Sequence, residues 1–416
     1  MFNINNKIED DKKIFNILKK EKKRQENQIN LIASENYASK AILSAQGSIF
    51  TNKYAEGNIN NRYYAGCKYI DEIEHLAISR AKKLFKVKYV NVQPHSGSQA
   101  NFAAYFAVLK NGDKILGMKL SHGGHLTHGS SVNFSGRMYN FIYYETNKNG
   151  KIDYLQLEKL AIKHKPKMIV GGFSSYSRVC NWKKIRKIAD KINAYFLVDI
   201  SHIAGLIISG LYSNPIPHAH IITSTTHKTL SGPRGGIIMS NYNDEKLFKK
   251  IDSAVFPGTQ GGPLMHAILA KAISFKEALS NNFKNYQIQI IKNINAMIKI
   301  FKKENFEIVF KKTSNHLFLL DLRKYYTTGI EIENCLSNAN IIVNKNGIPN
   351  DTTNFLITSG IRIGSPAITR RGFKEKESTK ISHWIIKIIK NKNNKNIINT
   401  IKRKVKILCK KYPIYK

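Results

Sequence analysis

Short apolar runs alternate with longer helical patterns through the middle of the chain, and this alternation predicts the fold. From about residue 70, six such runs recur, at 89–93, 114–118, 168–173, 195–200, 220–223 and 235–240. Strands of a parallel sheet are apolar along their whole length because helices cover both faces of the sheet. The pattern therefore predicts an α/β domain built around a mostly parallel sheet.

The two ends of the chain show different patterns. Residues 7–28 are polar with apolar residues at helical spacing, which predicts an amphipathic N-terminal helix. Residues 274–306 read as one long helix. Three apolar runs follow and predict strands of a smaller α+β domain, at 315–322, 340–345 and 361–364. We expect three regions, an N-terminal helical arm over 1–53, a large domain over 54–277 and a small domain over 278–416.

The composition indicates a folded chain of two domains. A chain of 416 residues is too long for one ordinary core. With 42% hydrophobic and 23% charged residues, it is too apolar to be disordered. No apolar run is long enough to span a bilayer, and the first residues do not resemble a secretory or transit peptide. Four cysteines are far apart, form no CxxC pair and are expected to be free thiols, at Cys67, Cys180, Cys335 and Cys409. We therefore expect a cytoplasmic protein.

The net charge of +39 raises the question of nucleic-acid binding. Most of the basic residues are lysines, whereas phosphate recognition more often uses the bidentate guanidinium of arginine. The lysine runs also fall where helix surfaces are predicted. We interpret the charge as a solvated surface that attracts anionic substrates at most, and we do not expect specific nucleic-acid binding.

The segment 223–236, TSTTHKTLSGPRGG, places a single lysine, Lys228, between hydroxyl residues and a glycine-rich turn. A lysine acts as an imine-forming nucleophile when its ammonium is desolvated or lies near another cation. The glycines allow the backbone to approach a bulky group closely. Taken alone, the segment is also compatible with an ordinary surface loop.

An aspartate upstream of this lysine changes the interpretation. Asp199 ends the predicted strand in YFLVDI, and the carboxyl ends of such strands are where α/β proteins bind ligands. A carboxylate here would keep a pyridine nitrogen protonated, so that the ring withdraws electrons. The alternative is a carboxylate that only caps the following turn. Together, Asp199 and Lys228 point to pyridoxal phosphate.

Two further motifs supply anion sites. In NVQPHSGSQAN, residues 91–101, a strand leads through His-Ser-Gly-Ser into a helix, and a helix N-terminus binds phosphate. Neither GxGxxG nor GxxxxGK[ST] is present, so a single phosphate fits better than a dinucleotide or nucleoside triphosphate. In GIRIGSPAITRRG, residues 360–372, the guanidinium of Arg362 is suited to bidentate binding of a carboxylate.

The chain resembles the serine hydroxymethyltransferase family from residue 7 to its C-terminus. The resemblance is carried by LIASENY, TNKYAEG, RYYAGC, QPHSGSQAN, SHGGHLTHG, DISHIAGL, STTHKTLSGPRGG, FPGTQGGPLMH, NHLFLLDL and GIRIGSPAITRRG. It implies a fold-type-I pyridoxal-phosphate enzyme with a seven-stranded, mostly parallel sheet and a smaller C-terminal α+β domain. The implied reaction converts serine and tetrahydrofolate to glycine and 5,10-methylenetetrahydrofolate in a homodimer with shared active sites.

The resemblance also implies a cofactor pocket. Lys228 would carry pyridoxal phosphate covalently, Asp199 would pair with the ring nitrogen, and His125 would stack on the ring. The remaining pocket residues would be Gly97 and Ser98 at the phosphate, Ser174, His202 and Thr225 near the ring hydroxyl, and His227 and Arg234 as supports. Lys228, Thr225 and His227 belong to the implied catalytic set, which Glu56 and Tyr64 complete.

The substrates and the second subunit account for the other implied roles. Arg362 and Ser34 would bind the substrate carboxylate. The implied folate side consists of Leu120, Gly124, His125, Leu126, Asn346, Asn354, Phe355 and Leu356. Residues that cross the dimer interface would be Tyr54, Glu56, Tyr64, Gly261 and Gly262. Glu56 is expected to handle a proton near the substrate hydroxyl and folate.

Two alternatives remain open at this level. His125 stands in a loop with His122 and His128, a set that also reads as a metal site, although we expect no metal. The chain also departs from the family pattern at 58–61 and at 354–356, on the folate side. A folate-independent pyridoxal-phosphate aldolase for β-hydroxy amino acids is therefore the alternative activity.

Overall fold

The computed structural model describes residues 10–415. Fifteen α-helices lie in this range: α1 Lys12–Asn27, α2 Lys40–Gln46, α3 Lys68–Phe85, α4 Gly97–Val108, α5 Phe134–Met138, α6 Tyr154–His164, α7 Trp182–Lys191, α8 Ala204–Ile208, α9 Glu245–Ser253, α10 Met265–Ala278, α11 Asn281–Lys303, α12 Gly329–Asn338, α13 Pro366–Arg371, α14 Glu375–Lys390 and α15 Lys395–Lys411. Short 3-10 turns cover Ile49–Asn52, Leu120–His122 and Arg323–Tyr325, and a π-helical turn covers Ala254–Thr259.

Fifteen strands, most of them short, lie between these helices in the described range. They are β1 Ile29–Asn30, β2 Gly57–Asn58, β3 Asn61–Arg62, β4 Tyr89–Asn91, β5 Lys114–Met118, β6 Asn140–Tyr144, β7 Met168–Gly171, β8 Tyr195–Asp199, β9 Ile221–Thr225, β10 Gly236–Ser240, β11 Glu307–Ile308, β12 Leu317–Asp321, β13 Ile341–Ile342, β14 Asn344–Asn346 and β15 Gly360–Gly364.

Seven strands form the large sheet in the order β4-β10-β9-β8-β7-β5-β6. Neighbouring strands are parallel from β9 through β8, β7 and β5 to β6. β10 runs antiparallel to both of its neighbours, β4 and β9. The α/β class with a seven-stranded, mostly parallel sheet is therefore confirmed. The apolar runs contained six of these strands and missed β6, an edge strand in which only Tyr144 is buried, so one side faces solvent.

Helices cover both faces of the sheet, so its central strands are buried throughout. In β8, Phe196 and Val198 pack into one core with residues of α3, α7 and α10, whereas Leu197 packs into a second core with residues of α4 and α9. Alternate residues of one strand thus supply two layers. This burial explains why β8 is apolar along its length until Asp199.

The smaller sheet has the order β11-β12-β15-β14 and is antiparallel. Its core is shared with α11, α12, α14 and α15, and it includes Ile29 and Leu31 from the segment after α1. β1 pairs in parallel with β13, so the N-terminal segment is hydrogen-bonded to this part of the chain.

Two helix predictions need adjustment. The single helix expected over 274–306 is wrong, because α10 ends at Ala278 and α11 begins at Asn281. Ser280 starts the new helix by accepting a hydrogen bond from the Phe283 backbone N–H at 3.2 Å. The N-terminal helix expected over 7–28 runs from Lys12 to Asn27, and residues 7–9 of that expectation lie outside the described residues. Within the described part of the chain, no helix is long and apolar enough to cross a membrane.

Candidate active site

A cavity of about 420 Å³ lies at the carboxyl ends of β7, β8 and β9. This position follows from the sheet, because parallel strands bring their carboxyl ends, and the loops after them, to one edge. The cavity is lined by Ser34, Glu35, Ser96, Gly97, Ser98, Leu120, His125, Leu126, His128, Phe173, Ser174, Asp199, Ser201, His202, Thr225, His227, Lys228, Arg234 and Arg362. Most residues predicted to bind cofactor or substrate are therefore brought together.

Lys228 extends into the cavity from the loop that follows β9. The residue is 7% exposed, and burial lowers the pKa of its amine to about 8. Arg362 and Arg234 act in the same direction, whereas the negative charge of Asp199 opposes the shift. A lower pKa increases the neutral fraction of the amine, which is the form that attacks a carbonyl carbon.

Asp199, at the end of β8, is buried and hydrogen-bonded. Its carboxylate accepts from Asn101 Nδ2 at 2.9 Å and from the Ser201 backbone N–H at 2.9 Å, and His128 Nε2 lies 3.5 Å away. Burial alone would raise its pKa, but the contact with His128 and the positive charges around it hold the pKa well below its usual value. The group is therefore an ionised carboxylate facing a cavity, suited to a cationic ring nitrogen.

His125 forms part of the wall beside Asp199. Burial, with His128 and Lys228 nearby, lowers the pKa of its imidazole to about 3, so the ring is neutral. Its Nδ1 lies 2.7 Å from Thr127 Oγ1, which also accepts from Asn101 at 2.9 Å. A neutral imidazole fixed in this way is suited to stacking against an aromatic ring.

The N-terminus of α4 forms the anion end of the cavity. Ser96 caps the helix through a hydrogen bond from the Gln99 N–H to Ser96 Oγ at 3.2 Å, and Gly97 and Ser98 follow it on the cavity wall. A β-carbon at Gly97 would lie 2.5 Å from Thr225 Cγ2, so the close packing requires glycine. Free N–H groups at a helix start, together with hydroxyls, bind a phosphate.

Arg362, on β15, contributes a buried positive charge from the smaller sheet. Its guanidinium donates to the Ser174 carbonyl at 2.8 Å, to Asn344 Oδ1 at 3.1 Å and to Ser34 Oγ at 3.3 Å. All three acceptors are neutral, and no carboxylate of the described residues lies within ion-pair distance. Burial lowers its pKa to about 10, which leaves it charged at neutral pH. A charge of this kind favours a carboxylate ligand.

Comparisons with known proteins agree with this geometry. A sequence model described as serine hydroxymethyltransferase matches residues 8–385. The chain belongs to the serine hydroxymethyltransferase family. A relative from Wigglesworthia glossinidia brevipalpis, named serine hydroxymethyltransferase, is 63% identical over 406 residues, which cover 98% of this chain and 97% of that protein. A relative of the same name from Buchnera aphidicola subsp. Acyrthosiphon pisum is 59% identical over 415 residues, covering 99% of this chain and 100% of that protein.

The serine hydroxymethyltransferase family uses pyridoxal phosphate, and the cavity fits that group in three respects. The lysine has a lowered pKa, the ionised carboxylate is buried, and Gly97 and Ser98 at the start of α4 line the cavity, where helix N–H groups bind a phosphate. The donor set therefore matches an aldehyde, a ring nitrogen and a phosphate on one molecule.

Around these groups lie the predicted supports of the family pattern. Ser174 Oγ donates to the Gly124 carbonyl at 2.5 Å. His227 Nε2 lies 3.4 Å from Arg234 Nη1, and burial lowers the pKa of His227 to about 3. His202 faces the cavity but also stacks on a second histidine, His316, whose Nε2 lies 3.2 Å from His202 Nδ1. Burial lowers the pKa of both rings, to about 3 for His316.

The residues expected to cross a dimer interface lie together, apart from this cavity. A β-carbon at Gly261 would lie 3.3 Å from Glu56 Oε1, and one at Gly262 would lie 3.4 Å from the Tyr54 ring. Tyr54 in turn packs against Tyr64 edge to face at 5.5 Å between ring centroids. None of these five residues lines the Lys228 cavity of the same chain.

The predicted folate side is brought together only in part. Leu120, His125 and Leu126 line the cavity, and Gly124 borders it through its bond from Ser174. Asn346, at the end of β14, is not among the lining residues, and its Nδ2 lies 3.5 Å from Ser175 Oγ. The exposed segment of Asn354, Phe355 and Leu356 also lies outside the cavity lining, with Phe355 75% exposed.

The histidines of the metal alternative do not lie as the sequence suggested. His122 binds Thr146 Oγ1 at 2.8 Å and does not line the cavity. The three groups close enough to share an ion are instead His125, His128 and Asp199. The Asp199 carboxylate accepts from Asn101 and from the Ser201 N–H, and it lies 3.5 Å from His128 Nε2 on the cavity wall.

Several supporting residues were not predicted from the sequence. Asn101 and Ser201 hold Asp199, and Thr127 orients His125. Ser201 follows Asp199 by two residues, and Thr127 follows His125 by two residues. Side chains commonly form hydrogen bonds at this spacing, so the sequence did contain a signal for these two contacts. Asn101 is 98 residues from Asp199, and only the fold brings the two together.

Proposed function

We propose that this chain transfers the hydroxymethyl group of serine to tetrahydrofolate, giving glycine and 5,10-methylenetetrahydrofolate, with pyridoxal phosphate bound to Lys228. The observation that carries the proposal is the set of charges in one cavity. It combines a lysine with a pKa of about 8, an ionised and buried Asp199, and a buried Arg362 whose acceptors are all neutral. These groups are suited to binding an amino acid together with a cofactor that withdraws electrons from the α-carbon of that amino acid.

The residues that would hold the cofactor are Lys228, Asp199 and His125 around the ring, with Gly97 and Ser98 at the phosphate. When bound, pyridoxal phosphate supplies an electron sink for the bond that breaks at the α-carbon. Asp199 would hold a proton on the ring nitrogen, because its own low pKa keeps it a carboxylate. His125 would stack against the ring without adding charge, because its imidazole is neutral.

Arg362 would bind the carboxylate of serine and fix the orientation of the α-carbon. Its contact with Ser34 leaves that hydroxyl beside the same carboxylate. Held in this way, the bond from the α-carbon to the hydroxymethyl carbon would be the one oriented for cleavage. Glu56 and Tyr64 would come from a second subunit, and Glu56 would move a proton at the serine hydroxyl.

The test is the visible absorption of the cofactor-loaded protein in the presence of glycine. We expect a spectrum that gains a long-wavelength band when tetrahydrofolate is added, because the second substrate promotes proton removal from glycine. A spectrum that responds to glycine but does not change with tetrahydrofolate would favour the folate-independent aldolase. It would also attribute the missing folate response to the exposed segment at Asn354–Leu356. Absence of any cofactor band would contradict the assignment of Lys228.

A homodimer with shared sites is part of the proposal. It is supported by the separation of Tyr54, Glu56, Tyr64, Gly261 and Gly262 from the cavity of their own chain, and by the exposure of aromatic rings there, Tyr54 at 57% and Tyr64 at 49%. Such exposed apolar surface marks interfaces.

Mixing two inactive variants tests the shared site. Lys228→Ala and Glu56→Gln should each be inactive alone. In a hybrid dimer, one of the two sites combines an intact Lys228 with an intact Glu56 from the other subunit. Random mixing makes half of the dimers hybrids, so about a quarter of the wild-type activity should return. No recovery after verified subunit exchange would contradict the shared site.

We place the reaction in the cytoplasm. The support is that the four cysteines, three of them buried, are all free, which suits a reducing compartment.

A further inference from the structure

Asn36, in the segment between β1 and α2, contacts the loop that carries Lys228. Its amide nitrogen lies 2.8 Å from the Lys228 carbonyl oxygen, 2.7 Å from Ser231 Oγ and 2.8 Å from Tyr286 Oη. An amide NH2 has two hydrogens, and a carbonyl oxygen can only accept. One of the two hydrogens is therefore directed to the backbone of Lys228, 192 residues away in the chain.

The Lys228 loop needs an external contact of this kind. Ser231 closes it with a φ of 60°, a left-handed conformation that costs a non-glycine residue free energy. The Ser231 N–H donates to the Lys228 carbonyl at 3.0 Å, so this one carbonyl ends the turn and also meets Asn36. Asn36 thus contacts both ends of the turn that sets the direction of the Lys228 side chain.

The same amide nitrogen of Asn36 is also connected, through Tyr286, to the segment that follows the Arg362 strand. Tyr286 Oη, on α11, lies 2.8 Å from the Asn36 amide nitrogen, whose second hydrogen it shares with Ser231 Oγ, and it donates to the Pro366 carbonyl at 3.1 Å. Pro366 starts α13, directly after the strand that bears Arg362. Two residues before Asn36, Ser34 accepts from Arg362 at 3.3 Å.

We propose that Asn36 is a positioning residue that fixes the Lys228 backbone relative to Arg362. This inference rests on the proposed function, in which Lys228 carries the cofactor. During turnover the serine nitrogen would replace the Lys228 nitrogen on the aldehyde carbon of the cofactor. A proton would pass between the two nitrogens, without net oxidation or reduction. The freed amine must stay within reach, and a backbone held by Asn36 limits its displacement.

The main test uses Asn36→Asp, which keeps the shape but loses both hydrogens. We expect loaded protein with full cofactor content, in which the rate at which serine displaces Lys228, read by stopped-flow visible absorption, falls about ten-fold. We also expect the pH midpoint of the cofactor band without substrate to move in the uncharged variant Asn36→Ala, because the Lys228 backbone would be less constrained, whereas in Asn36→Asp the added charge contributes to the shift. The serine KM should change less than kcat.

Tyr286→Phe provides a second variant in case Asn36→Asp does not fold. It removes the hydroxyl between Asn36 and Pro366, and we expect a smaller slowing of displacement in the same direction. Combined with Asn36→Ala it should add little, because both changes break one connection. The matched control is Asn27→Asp on the same N-terminal segment, where the amide bonds only the Lys23 carbonyl.

Two results would overturn the proposal. One is an unchanged displacement rate and pH midpoint in Asn36→Asp, even if its melting temperature falls, since that would make Asn36 structural only. The other is an equal slowing in Asn27→Asp. A wild-type protein without a cofactor band that serine perturbs would instead contradict the proposed function.

Discussion

Two buried lysines of this chain show how burial alone does not make a reactive group. Lys228 is 7% exposed and Lys271, on α10, is 1% exposed. Lys271 Nζ donates to the backbone carbonyls of Val92 at 2.6 Å, Pro94 at 3.1 Å and Gly236 at 2.9 Å. Lys228 Nζ has no hydrogen-bond acceptor among the described residues and faces the cavity. The Lys271 ammonium donates all three of its hydrogens to backbone carbonyls, whereas the hydrogens of Lys228 are free to bind a ligand.

Two buried arginines repeat the contrast. Arg371 donates to five backbone carbonyls of the two terminal segments, those of Gln25, Glu26, Gln28, Cys409 and Tyr412. The carboxylate of Glu26 lies 3.5 Å from it. Arg362 has only neutral partners and faces the cavity. The difference indicates that Lys271 and Arg371 hold the fold, whereas Lys228 and Arg362 are left able to bind.

The largest expected effect is that of Lys228→Ala. Without the amine, the cofactor loses its covalent attachment and the site loses a general base, so we expect kcat for serine cleavage to fall at least about 10³-fold, or about 4 kcal/mol of barrier. The measurement is steady-state glycine formation on cofactor-saturated protein. A variant with wild-type turnover would remove the distinction between the two lysines.

Arg362→Met should follow in size. Methionine keeps much of the apolar volume but cannot bind a carboxylate, so we expect kcat/KM for serine to fall about 10²- to 10³-fold, or about 3–4 kcal/mol, which is within the range for a truncated buried charge partner. Arg371→Met serves as the comparison. Its activity per folded molecule should stay near wild type while its melting temperature falls. Equal losses of activity in both variants would contradict the contrast.

The sequence predicted the reactive members of both pairs and neither structural one. Lys228 and Arg362 stand in segments rich in glycine and proline, where a local pattern reveals a tight turn and an exposed functional group. Lys271 lies in the helical segment MHAILAKAISF, and nothing local shows that its acceptors come from the segment after β4 and from β10. Contacts between distant segments require the fold itself.

The same reasoning separates what was predictable of the architecture. Buried central strands were found because both of their faces are apolar, whereas the half-exposed β6 was missed. The break between α10 and α11 was missed because the helical apolar spacing continues across Ser280, and only its capping bond marks the boundary. Asn36 was part of a recognised motif, but its partner Tyr286 is 250 residues away.

Lys271→Met should affect stability more than catalysis. The change removes a donor from three buried carbonyls, of which that of Pro94 still accepts from the Gly236 N–H at 3.0 Å, and we expect the free energy of unfolding to fall by about 1–3 kcal/mol. Chemical denaturation of loaded protein would measure it. Lys276→Met, at an exposed position of the same helix, should change stability by less than about 0.5 kcal/mol. A loss of stability of the same size at both positions would show that the carbonyl contacts contribute nothing specific.

The smallest effect expected is a pH dependence that only the cavity lysine should produce. In the proposed reaction the neutral form of Lys228 would capture the cofactor, and the pKa of its amine is about 8, against an ordinary value of 10.5. The rate of band formation on adding pyridoxal phosphate to cofactor-free protein should therefore rise with pH, be about ten-fold below the plateau at pH 7, reach half of the plateau near pH 8 and level off above about pH 9.

Replacing Asp199 by Asn sharpens this last measurement. Asp199 raises the pKa of Lys228 by its negative charge, so its removal should move the inflection to lower pH. A wild-type rate that keeps rising towards pH 10 would mean that Lys228 is not desolvated. Because burial lowers the pKa of Lys271 as well, to about 7, that outcome would leave hydrogen bonding and access to the cavity as the basis of the reactivity of Lys228.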